Sequence, residues 1–112
     1  MTCLQAKTYD KPLTMLPACV VGKFQHSTIT YMNRGKERRP KDIEGQKVVL
    51  RSYTQTTPTW ARGVLQHQYG VDLSNVTWVT SDDPHLAEYA EPRNVVRVDK
   101  KQKSLDKRMI EG

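Results

Sequence analysis

Residues 42–79 constrain the fold more than any other part of the chain, because apolar spacing changes there from strand to helix and back to strand. Asp42-Ile43-Glu44-Gly45 reads as a turn, and Lys47-Val48-Val49-Leu50 after it is a short run rich in β-branched residues, which suits a buried strand. Thr57 followed by Pro58 predicts a helix start, since a hydroxyl caps free amides and proline at the first helical position loses no needed donor. Trp60, Val64, His67 and Val71 then fall at helical spacing, Ala61 and Leu65 widen the stripe, and Gly70 supplies a left-handed stop, so the helix is expected over residues 58–69. Asn75-Val76-Thr77-Trp78-Val79-Thr80 alternates apolar and polar residues and returns the chain to the sheet. A strand-helix-strand connection of this length predicts a parallel crossover, with Trp60 and Trp78 both in the core. The expected class is α/β: a small, mainly parallel sheet with flanking helices.

In such a unit the loop between a strand's carboxyl end and a helix's amino end is where open α/β sheets bind ligands. Here that loop is Arg51-Ser52-Tyr53-Thr54-Gln55-Thr56-Thr57. Its hydroxyls and amide often do no more than cap a helix and fill a turn. A ligand role is favoured by convergence: Arg51 offers a bidentate partner for a carboxylate, Tyr53 a ring face and hydroxyl, and the Thr56 and Thr57 amides lie at the positive end of the helix. The candidate ligand-binding residues are therefore Arg51, Ser52, Tyr53, Gln55, Thr56 and Thr57, and a small planar or aromatic acid suits them.

Several residues carry a resemblance. Pro40-Lys41-Asp42-Ile43-Glu44-Gly45-Gln46-Lys47-Val48-Val49 resembles the opening of the second lobe in type II periplasmic-binding-protein folds. Phe24-Gln25-His26-Ser27, Tyr53, Thr56, Trp60-Ala61-Arg62-Gly63-Val64-Leu65, Tyr69-Gly70-Val71 and Trp78-Val79 are similar, in order, to the group that holds 4,5-dihydroxyphthalate decarboxylases and related ABC-transporter substrate-binding proteins. The sequence departs from that pattern at Gln25 and Arg51. The resemblance implies a partial lobe of a two-lobed fold. Residues 1–33 would form an arm and a hinge-like crossing segment, and residues 34–112 an incomplete second lobe.

With 112 residues the chain has the size of one domain, too short for two such lobes. It is expected to be a piece of a larger fold, needing a second lobe or self-association to close its cleft. The alternation of Ile29 and Tyr31 makes residues 24–31 a strand, and the resemblance implies that it crosses near the cleft, where His26 either hydrogen-bonds a ligand, donates a proton or simply holds the hinge. Residues 1–12 read as polar and irregular, and the resemblance makes 104–112 a helix. The resemblance implies two uses of the cleft. One is a solute receptor that traps a small acidic or aromatic molecule. The alternative is a carboxy-lyase in which a positioned acid protonates the ring carbon as carbon dioxide leaves. The enzyme would be cytoplasmic, the receptor periplasmic behind a signal peptide.

The formal charge of +6 gathers in residues 34–51 and 93–108. Both stretches mix in acids and lack interleaved aromatics, and no zinc-finger, RNA-recognition or helix-turn-helix signature is written, so a specific nucleic-acid partner is not expected. The excess is a solvated face whose field attracts anions. No apolar run approaches the roughly 20 residues that span a bilayer, and Met1-Thr2-Cys3-Leu4-Gln5-Ala6-Lys7 is no secretory leader. Cys3 and Cys19 are expected as free thiols. His67 and His85 have no partners at metal-ligand spacing, so neither metal nor cofactor is expected, and Ser27 and Ser52 lack a nucleophile-elbow context. Farther along, Asp82-Asp83-Pro84 marks a turn, 85–90 a helical turn, and Val95-Val96-Arg97-Val98 an edge strand.

Overall fold

The computed structural model describes residues 2–19 and 21–99. Its centre is a three-stranded, fully parallel sheet in the order β1-β2-β3, formed by β1 (Lys47–Leu50), β2 (Thr77–Thr80) and β3 (Val95–Arg97). Helix α1 (Thr2–Thr8) opens the chain and helix α2 (Thr56–Tyr69) connects β1 to β2. Short 3-10 turns occupy Gln25–Thr28, Pro40–Ile43 and Leu73–Asn75. The α/β class and the small parallel sheet are as the sequence predicts. The helix expected over 104–112 lies outside the described residues.

Parallel pairing aligns Val48 with Trp78 and Leu50 with Thr80, so these four side chains share one face, the face that meets α2. Leu65, Val71, Val76 and Trp78 form the buried cluster, with Ile43, Val48, Leu50, Tyr53, Leu73 and Val95 packed around it. Asn94 holds the entry to β3: its side-chain amide donates to the carbonyls of Leu73 and Val76, and its own carbonyl accepts the Trp78 amide at 2.8 Å. Gly70, at φ 64°, stops α2 by turning back the amides of Gly70 and Val71 onto the carbonyls of Gln66 and Leu65, both at 3.0 Å.

Several expectations are corrected. Helix α2 begins at Thr56, not at Pro58, and its cap is Gln55 with no side-chain hydrogen bond, so Thr57 is a helical residue and not the cap. Trp60 is 57% exposed and is no core residue, while Arg62 is only 8% exposed. The buried stripe is thus rotated about one position from the predicted one, because the Arg62 stem and head lie between α2, Tyr53 and Trp78. His67 accordingly faces solvent. Residues 24–31 form no strand: their only regular element is the 3-10 turn at Gln25–Thr28, and Phe24, Ile29 and Tyr31 are exposed. The first residues are not irregular, since α1 is closed by bonds from Tyr9 and Lys11 to the Ala6 carbonyl, with Ala6 buried. β2 also starts two residues later than expected, with Asn75 spent in the preceding 3-10 turn. In place of a helical turn, residues 85–90 carry one turn bond, from the Tyr89 amide to the Leu86 carbonyl.

Candidate functional site

All three strands run the same way, so their carboxyl ends open on one edge of the sheet. The loop 51–55 after β1 and the segment 81–84 after β2 meet there. The two are tied together. The amides of Ser81 and Asp82 donate to the Arg51 carbonyl at 3.3 and 2.8 Å, Ser52 Oγ donates to the Asp83 carbonyl at 3.2 Å, and the His85 amide donates to Thr54 Oγ1 at 3.1 Å. Ser52 and Thr54 are fully buried by these bonds. Arg51 Nε pairs with Asp82 Oδ2 at 2.9 Å on the solvent side.

Of the residues predicted for the site, Arg51, Ser52, Tyr53, Gln55, Thr56 and Thr57 come together at this edge, with Ser52 acting as a tie between loops. Gln55 is extended, its carbonyl accepting the Thr59 amide and Thr59 Oγ1 at 3.1 and 2.8 Å. Thr56 and Thr57 are the first two helical residues, so their amides have no intrahelical partner, and Pro58 carries no amide hydrogen. The positive end of the α2 dipole therefore lies beside the loop. His26 is elsewhere. Its Nε2 is 2.9 Å from Gln68 Oε1 and its ring stands edge-on to Tyr69, both in the last turn of α2. A helix of 14 residues is about 21 Å long at 1.5 Å per residue, so α2 separates His26 from the loop.

The residue that sequence reading passed over is Arg62. Its guanidinium lies over the Tyr53 ring at 3.7 Å from the centroid, with Trp78 at 5.7 Å, and Nη2 donates to Thr59 Oγ1 at 3.4 Å. Burial holds it below the usual arginine range, against an opposing influence from Tyr53 and Tyr89. The Tyr89 phenol is pushed up, chiefly by its own burial. The sequence reading names Arg62 only within the resembling stretch Trp60–Leu65, with no role given to its charge. Asp82, Asp83 and His85 were read as a turn and turn out to line the same edge. Among the described residues, no group of three or more histidine, cysteine or acidic side chains could hold a metal ion, and no helix is long and apolar enough to cross a membrane. Cys3 and Cys19 are exposed and unbridged.

The chain is 28% identical over 75 residues to a 4,5-dihydroxyphthalate decarboxylase of Comamonas testosteroni, a match that covers 65% of this chain and 23% of that protein. Against a 4,5-dihydroxyphthalate decarboxylase of Pseudomonas putida it is 28% identical over 68 residues, covering 61% of this chain and 26% of the relative. The chain thus spans about a quarter of the length of these curated relatives. No family model matches it, and no solved structure matches it significantly. The relatives agree with the decarboxylase side of the resemblance and say nothing of a transport receptor.

Proposed function

We propose that this chain carries one wall of a carboxy-lyase site for an aromatic dicarboxylate of the 4,5-dihydroxyphthalate type. The observation that carries the reading is the convergence of a polar loop and an uncapped helix amino end at the carboxyl edge of a parallel sheet, in a chain whose relatives bear that enzyme's name. The receptor reading, the first of the two uses that the resemblance implies, gains nothing from those relatives. In the reaction the bond from ring carbon to carboxylate breaks, its electron pair stays on the ring, and a proton takes the place of the departing carbon dioxide. The protein's part is to neutralise the carboxylate that remains and to supply that proton. Arginine and the α2 amino end serve the first task. For the second, His85 is the histidine whose backbone is bonded to the loop, its amide donating to Thr54 Oγ1, whereas His26 and His67 belong to the far end of α2. A closed site draws its other wall from a second lobe or a second copy.

Calorimetric titration tests this reading with 4,5-dihydroxyphthalate, phthalate and neutral catechol. The open site predicts weak but saturable binding of the dicarboxylates, near 1 mM or about −4 kcal/mol, and none of catechol. Equal binding of catechol, or no saturable binding of any dicarboxylate, overturns it.

A further inference from the structure

Arg62 is the one charged residue buried among the described residues. A buried guanidinium is ordinarily held by a carboxylate, because taking its charge out of water costs several kcal/mol that only a close partner offsets. The ion pairs Lys11–Glu88, Arg51–Asp82, Arg97–Asp83 and Arg97–Glu91 all leave it out. Tyr53 covers its face, but a ring under the plane satisfies none of the in-plane donors. Of those donors, Nη2 has one long bond to Thr59, and Nη1 is buried with no partner at all. On the sheet face that meets α2, Thr80 Oγ1 is likewise buried without a partner. The guanidinium lies against the rings of Tyr53 and Trp78, with Tyr89 close enough to act on it electrostatically, and its bond to Thr59 places it by the first turn of α2.

We propose that Arg62 is the anchor for one carboxylate of a planar aromatic acid, its Nη1 edge completing at the α2 amino end the anion site that the polar loop begins. The proposal rests on the preceding reading for the ligand's class and adds the residue that recognises it. It separates two arginines. Arg51 already has its carboxylate in Asp82, whereas Arg62 lacks one.

The test compares the full chain with Arg62→Met and Arg62→Lys, using phthalate, benzoate and 4,5-dihydroxyphthalate as probes and thermal melting alongside. Methionine fills a similar volume without a charge to bury, so Arg62→Met should melt at or above the parent temperature while losing carboxylate affinity by about tenfold or more. Lysine keeps the charge but not the planar fork, and should lose less. Phthalate bound equally well by parent and Arg62→Met overturns the inference, as does a large fall in melting temperature with affinity intact. Should Arg62→Met not fold, the nitrogen-15 resonances of the Arg62 guanidinium in the parent decide: a shift on adding phthalate supports the anchor, and no shift overturns it. Binding of phthalate and benzoate through Arg62 with no preference for 4,5-dihydroxyphthalate leaves the anchor standing and removes the decarboxylase reading. Tight 4,5-dihydroxyphthalate binding indifferent to Arg62 does the opposite.

Discussion

The segment 13–36 and the unit 40–98 carry similar apolar residues and treat them in opposite ways. In the first, Leu13, Met15, Leu16, Val21, Phe24, Ile29, Tyr31 and Met32 are all exposed, Phe24 by 87%. In the second, Leu65, Val71, Val76 and Trp78 close into one cluster. The difference lies in partners, not in hydrophobicity. The unit contains both sides of its own core, a sheet face and a helix stripe at matching spacing, so burial is available within some 60 residues of chain. The arm has apolar side chains but no second surface of its own. It is fastened by polar contacts instead: Lys11, just before it, pairs with Glu88, and His26 meets Gln68 and Tyr69 on α2.

The sharpest way to break this contrast is to truncate the two tryptophans. Trp78, 1% exposed, should cost about 3–5 kcal/mol of stability as Trp78→Ala. Trp60→Ala should stay within about 0.5 kcal/mol of the parent in the same denaturant titration. Equal losses would return Trp60 to the core. A smaller effect belongs to the end of α2. Gly70→Ala forces a side chain into the left-handed region at a cost of about 1 kcal/mol, and since the added carbon would meet only the flexible end of the Lys41 side chain, Cε at 3.7 Å and Nζ at 3.9 Å, the cost is one of backbone and not of packing. Gly70→Asn should recover part of it.

Smaller again is a pH effect. The Asp72 carboxyl is held below the usual carboxylate range, first by the Ser74 hydroxyl and then by its amide. Its folded state therefore binds protons less readily than the unfolded chain. The stability this contributes is present above pH about 4 and is lost as pH falls through the lower folded value. Asp72→Ala should flatten that part of the stability profile, and an unchanged acid limb would show that the cap is idle. At the bottom of the scale, Phe24→Ser and Leu16→Ser should leave the melting temperature of the monomer unmoved, because neither side chain is buried.

The parallel sheet and the α2 crossover were legible because each rests on local signals, Gly45, Gly70 and two periods of apolar spacing. The strand expected at residues 24–31 failed for the reason the arm as a whole stays open. Alternation of Ile29 and Tyr31 specifies which face would be buried, but strand formation needs a neighbour to pair with, and none is supplied there. At the site, strand and helix order alone placed Arg51, Tyr53, Thr56 and Thr57 together. The inward turn of Arg62 was illegible, since charge argues for solvent and only three-dimensional packing against Tyr53 and Trp78 argues otherwise. The separation of His26 from the loop followed from the failed strand.

A backbone amide NMR titration of the full chain with 4,5-dihydroxyphthalate tests the account most directly, because it reads the arm and the unit in one experiment. The account predicts saturable shifts concentrated in residues 51–59 and 81–85, largest at the Thr56 and Thr57 amides, with residues 13–36 unmoved. Shifts centred on the arm around His26, or none that saturate, would contradict it.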